Sequence, residues 1–107
     1  YYAAAKGGVI SLVKSVAQEV GRNGVTLNVV SPGATDTELR QGREKEVLEA
    51  IGEERFAKRE QTILRMYPTR RLGQPDDIAA GIVYLCGDGA SWVTGQVLSI
   101  NGGFAMV

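Results

Sequence analysis

The sequence contains no histidine and a single cysteine, Cys86. Without histidine, the usual zinc ligand sets and every Ser-His or Cys-His nucleophile arrangement are excluded within this chain, and no metal site is expected. One cysteine cannot close an internal disulfide. Neither sign of charge is in surplus: 12 Lys and Arg balance 12 Asp and Glu. No overall positive field therefore exists to draw nucleic acid or an anionic membrane surface. The sequence also has no apolar run of membrane-spanning length and no basic-then-apolar signal segment, so a cytoplasmic, reducing compartment is the expectation. With 107 residues, 44% of them apolar, one small core is feasible and most two-domain enzymes are too large, so one domain or part of one is expected. Tyr1 already stands at the start of a helical pattern with no cap or turn before it, so the chain is expected to be part of a larger protein.

Residues 2 to about 21 follow a helical period, with Val9, Val13, Val16 and Val20 on one stripe that Ile10, Leu12 and Ala17 widen. Ala4, Gly8, Ser11 and Ser15 form a ridge of small residues opposite. Asn23 and Gly24 stop this helix, and residues 25–31 read as a strand rich in β-branched and apolar side chains, ended by Pro32 and Gly33. A charged stretch, about 38–66, carries apolar residues at helical intervals and suits two amphipathic helices, with breaks expected at Gly42 and Gly52. Pro75 in a first turn, with Asp76 and Asp77 at the positive helix end, starts a helix to about residue 86. Residues 96–100 read as a last short strand. Cys86 is expected to be a small buried hydrophobe and Trp92 a packing residue. Arg70 and Arg71 are expected to pair with carboxylates.

Two buried-type strands separated by helices imply parallel neighbours joined by a right-handed crossover, hence an α/β sheet. Two strands do not complete such a sheet, which again points to missing neighbours.

Tyr2 and Lys6 are spaced by four residues, on one helix face and one turn apart. By the same count they share the stripe of Val9, Val13, Val16 and Val20 and are expected to point toward the protein body. A free phenol titrates near ~10, and acid-base work at neutral pH asks for about 7, a difference of roughly 4 kcal/mol. One ammonium at about 4 Å, in an effective dielectric near 20, supplies a term of about that size. On the pair alone, a tyrosine at a core edge and a lysine reaching water along its stem is the favoured reading, since the spacing often arises by chance.

The order of four landmarks changes that balance. Tyr2-Ala-Ala-Ala-Lys6-Gly-Gly resembles the Tyr-x-x-x-Lys active-site helix of the short-chain dehydrogenase/reductase family. Asn28-Val-Val-Ser-Pro32-Gly33-Ala-Thr-Asp-Thr37 resembles the family's strand and Pro-Gly bend. Arg71-Leu-Gly-Gln-Pro75-Asp-Asp-Ile78 resembles the entry to its last long helix. The run from Thr94 to Gly103 resembles its closing strand and Gly-Gly turn, with Asn101 where aspartate is commoner.

The resemblance implies the C-terminal part of a doubly wound, parallel-sheet Rossmann-type fold, comprising its last two strands and flanking helices. It implies hydride transfer between NAD or NADP and a carbonyl or secondary alcohol, with Tyr2 as acid or base and Lys6 beside it on the nicotinamide ribose. Pro32, Gly33, Thr35 and Thr37 would receive the nicotinamide carboxamide, and residues 38–66 would cover the substrate. A homo-oligomer, dimer or tetramer, is implied as well. The family's Gly-rich pyrophosphate fingerprint, its catalytic serine and the residue that selects NAD or NADP are not found among these 107 residues. An inactive fragment awaiting its N-terminal half is therefore expected. A non-catalytic interaction remnant is the alternative.

Overall fold

The computed structural model describes residues 1–105, in two compact units. Among them the regular elements are α1 (Tyr2–Val20), β1 (Val29–Pro32), α2 (Glu38–Ile51), α3 (Glu53–Arg65), α4 (Pro75–Cys86) and β2 (Val97–Ile100). β1 and β2 form a two-stranded sheet. Val29 N–H donates to the Gln96 carbonyl at 2.8 Å and Gly33 N–H to the Ile100 carbonyl at 2.9 Å. The offset between partners is the same at both ends, so the strands run parallel. No helix among the described residues is long and apolar enough to cross a membrane.

The first unit comprises Tyr1–Ser31 and Ala79–Leu98. In α1 the inner face is formed by Ile10, Val13, Val16 and Val20, all half-buried, around the buried Ala17. Tyr2, Lys6 and Val9, expected on the same inward stripe, are instead exposed. The cover on α1 lies near Ala17, against which Gly95 packs. Tyr2 is roughly 22 Å away along a helix rising 1.5 Å per residue, beyond that cover.

The strand expected over 25–31 is also shorter than its composition suggests, because the regular ladder starts only at Val29. Before it, the Leu27 carbonyl still accepts the Gly95 N–H at 2.8 Å, and side chains make the other links. Leu27 N–H donates to Thr94 Oγ1 at 3.0 Å, Asn28 Nδ2 donates to the Val93 carbonyl at 2.9 Å, and Gln96 N–H donates to Asn28 Oδ1 at 3.0 Å. Pro32 has no N–H to contribute and is tolerated at the strand's end. Cys86, expected to be buried, is exposed at the end of α4, and Trp92, expected to pack, is 98% exposed. The buried apolar residues of this unit are Ala17 and Ala90, and nothing in it covers the indole.

The second unit comprises Pro32–Ile78 and the residues from Ser99 on. α2 and α3 separate at Gly52, whose φ of 84° lies in the region that disfavours side chains. Gly42, expected as another break, sits inside α2 without interrupting it. One glycine costs a helix only about 1 kcal/mol, which neighbouring turns absorb. α4 is started by Asp77, which accepts the Gln74 N–H at 2.7 Å and both terminal nitrogens of Arg71, at 2.7 and 3.2 Å. Arg70 instead donates to the Arg65 carbonyl. Tyr67 is buried and stacks on Phe104, with ring centroids 5.1 Å apart. At the ends of the strands the two backbones almost touch: a Cβ at Gly33 would lie 2.7 Å from Asn101 Cβ and 2.8 Å from its Cα.

Two outcomes follow for the complete protein. Gly33→Ala forces the strand ends apart and should destabilise it by about 1–3 kcal/mol, whereas Gly42→Ala, with open space around it, should be neutral or stabilise it by up to about 1 kcal/mol; urea unfolding of both variants checks this. The carboxyl of Asp77 is lowered from 3.8 to about 2, first by the Arg71 hydrogen bond and then by the Gln74 N–H. A carboxylate depressed in the folded state stabilises above its unfolded value and loses that contribution as pH falls through the folded one. Asp77→Asn should therefore narrow the stability difference from wild type between pH 4 and pH 2, as read by unfolding curves across that range.

Candidate active site

The first unit places Tyr2 and Lys6 in the opening turns of α1, which starts with Ala5 N–H donating to the Tyr1 carbonyl at 2.9 Å. The four-residue spacing brings the Lys6 Nζ to 5.2 Å from the centroid of the Tyr2 ring. An ammonium at that distance over an aromatic face is in cation–π range. Tyr2 is 77% exposed, so both the phenol oxygen and the ammonium are open to a bound molecule. Water screens their mutual attraction in the same exposed setting.

The second unit places Pro32, Gly33, Thr35 and Thr37 on a bend that leaves the carboxyl end of β1. The Thr35 hydroxyl donates back to the Gly33 carbonyl at 3.0 Å, which tightens the bend. Thr35 then forms a single parallel bridge with Gly73. Gly73 N–H donates to the Ala34 carbonyl at 3.0 Å, and Asp36 N–H donates to the Gly73 carbonyl at 2.8 Å. In such a bridge the N–H and C=O of the central residue point away from the partner. The main-chain N–H and C=O of Thr35 accordingly make no hydrogen bond among the described residues. They present one donor and one acceptor side by side, the complement of a primary amide. Thr37 is the N-cap of α2: its hydroxyl oxygen accepts the Arg40 N–H at 3.2 Å, leaving the hydroxyl proton free to donate.

Beside this bend, Glu44 of α2 receives Arg40 at 3.0 Å and both terminal nitrogens of Arg59 from α3. The Arg59 hydrogen bond, followed by the nearby Arg40 charge, holds the Glu44 carboxyl below the ordinary carboxylate range against the opposing effect of burial. Neither Gly73 nor the Glu44–Arg59 pair was among the residues singled out in the sequence. Gly73 does lie within the quoted Arg71–Ile78 landmark. Nothing in the spacing of Glu44 and Arg59, on two helices separated by Gly52, marks them as partners.

A family model described as enoyl-(acyl carrier protein) reductase matches residues 1–105. The chain belongs to the short-chain dehydrogenase/reductase family. It is 40% identical over 106 residues to the 3-oxoacyl-[acyl-carrier-protein] reductase FabG of Salmonella typhimurium, covering 99% of this chain and 38% of that protein. The fold is similar to a short-chain dehydrogenase/reductase family oxidoreductase from Burkholderia thailandensis, with a TM-score of 0.78, 35% identity, and coverage of 96% of this chain and 36% of the other. It is also similar to YwfH, an NADPH-dependent reductase involved in bacilysin biosynthesis, with a TM-score of 0.80, 25% identity, and coverage of 94% and 38%. The chain thus spans less than half the length of these relatives. Its helices and parallel strand pair are part of the family's Rossmann-type α/β fold.

Within this family member, the bend and the following helix are joined through the Thr37 cap. Thr37→Ala should cost about 1 kcal/mol through the lost cap, while Thr37→Ser should keep most of it. Thermal unfolding of the two variants in the complete protein checks the order; equal losses would mean that the cap contributes nothing.

Proposed function

We propose that the complete protein to which this chain belongs is an oxidoreductase that moves a hydride between NAD(P) and a carbonyl or secondary alcohol. The observation that carries the proposal is the Tyr2–Lys6 pair, an ammonium one helical turn from a phenol and 5.2 Å from its ring centroid. Its support is the similarity to proteins described as a 3-oxoacyl-[acyl-carrier-protein] reductase and an NADPH-dependent reductase.

The residues fit a nicotinamide cofactor in one testable respect. Thr35 offers an unbonded main-chain N–H and C=O, and Thr37 a spare hydroxyl proton, which match the acceptor and donors of a carboxamide. The bound nicotinamide would supply or accept the hydride. Pro32 and Gly33 make the bend that brings Thr35 to this position. In reduction, Tyr2 Oη gives its proton to the substrate oxygen as negative charge develops there; in oxidation, its phenolate removes the proton of the alcohol. The Lys6 ammonium stabilises that phenolate and would hold the ribose of a bound nicotinamide cofactor. α2 and α3 contribute to the substrate's surroundings. The 107 residues alone are proposed not to turn over, and the complete protein to act as a cytoplasmic homo-oligomer.

A second reading, a non-catalytic interaction module, draws on the exposed apolar side chains Leu12, Ile82 and Val83 in the first unit. The two readings separate on one variant. Tyr2→Phe in the complete protein should lower kcat about 10²–10⁴-fold and leave NADPH binding, followed by its fluorescence, within a few-fold of wild type. Undiminished turnover would remove Tyr2 from the chemistry, and no nicotinamide-dependent turnover by the wild type with any carbonyl substrate would favour the interaction module.

A further inference from the structure

Within the second unit, a cavity of about 480 Å³ is lined by Thr35, Thr37, Arg40, Arg43, Glu44 and Arg59, with Leu39 and Val47 as its apolar part. Three guanidinium groups face one carboxylate. Glu44 is already committed to Arg40 and Arg59, and Arg43 has no carboxylate within ion-pair distance among the described residues. Arg40 Nε is buried and lacks an acceptor. A buried donor without a partner costs free energy, so the Arg40 guanidinium is not fully satisfied by Glu44. The cavity therefore has surplus positive charge and spare N–H groups beside an apolar wall, a combination suited to a carboxylate on a short alkyl chain.

We propose that this cavity receives a carboxylate of the substrate, making the protein selective for oxo acids over neutral carbonyl compounds, with Arg43 as the specificity-determining residue. The proposal deepens the oxidoreductase reading and rests on it for the place of the substrate beside Thr35 and Thr37. Glu44 acts as a positioning residue: by holding Arg40 and Arg59 from two helices, it keeps the cavity's walls in place while leaving Arg43 for the ligand. The bend residues border the same cavity, so a ligand held there would lie next to the proposed carboxamide contacts.

The test uses the complete protein, NADPH and unbranched oxo acids of three to six carbons, each against its methyl ester. Wild type should show a kcat/KM at least tenfold higher for one or more acids than for the matching ester. Arg43→Gln, an exposed position whose change should not affect folding, should remove most of that preference by lowering acid turnover and sparing the ester. Lys58→Gln, which removes an exposed charge from α3, should alter neither. Turnover of acids and esters without preference, or a preference that survives Arg43→Gln, overturns the proposal while leaving the oxidoreductase reading intact. Where no substrate is turned over, calorimetric titration with the same acids decides: binding weakened at least tenfold by Arg43→Gln upholds the carboxylate site although the redox reading fails, and absent or unaltered binding overturns it.

Discussion

At the carboxyl ends of β1 and β2 the backbone of Gly33 passes so close to Asn101 that no side chain fits on residue 33, and much of the second unit's geometry depends on that approach. With the strand end fixed there, the chain turns through Ala34 and Thr35, and the Thr35–Gly73 bridge sets which way each peptide faces. Ala34 and Asp36 use their polar groups on Gly73, while those of Thr35 are left for something else. Two residues later Thr37 caps α2, so the direction of that helix follows from the same bend. A surface made largely of main chain tolerates side-chain change at Ala34 more readily than any displacement of Gly33.

The α2–α3 pair is held by a different force. Apolar burial there is modest, since no residue of either helix is fully buried. A partly buried carboxylate, Glu44, ties α2 to α3 by accepting a bidentate contact from Arg59. Charge-assisted contacts of this kind are directional where apolar contacts are not, so they set the relative rotation of two helices with little area to spend on packing. Breaking one partner would leave the other charged and partly desolvated, a larger penalty than loss of an exposed pair.

Much of the helical structure was legible because its signals are local. Pro75 with Asp77 marked the start of α4, Gly52 stands where α2 gives way, and Gly24 closes the 3-10 turn Gly21–Asn23 that follows α1. What misled was reading side-chain environment from periodicity. The stripe on α1 is real, but cover reaches only the part near Ala17, so the expected burial of Tyr2 and Lys6 was not found. Residues 25–28 have strand composition, yet Val25 N–H bonds back to Val20, Leu27 N–H goes to the Thr94 side chain, and Asn28 reaches the Val93 and Gln96 main chain with its side chain. Cys86 and Trp92 look like core residues by type and are exposed by position. On the site, the bend at Pro32–Thr37 was marked by its residues, whereas the Thr35–Gly73 bridge and the Glu44–Arg59 tie depend on contacts across the fold that no spacing encodes.

The exposure of Tyr2 and Lys6 has a consequence for the proposed chemistry. An ammonium acts on a phenolate with a strength inversely proportional to the effective dielectric, so moving from about 80 in water to about 20 near a protein surface multiplies their attraction roughly fourfold. In this chain, which spans less than half the length of its relatives, Tyr2 is 77% exposed. The proposed chemistry calls for water to be displaced from the first turns of α1, by the rest of a longer protein or by bound ligands.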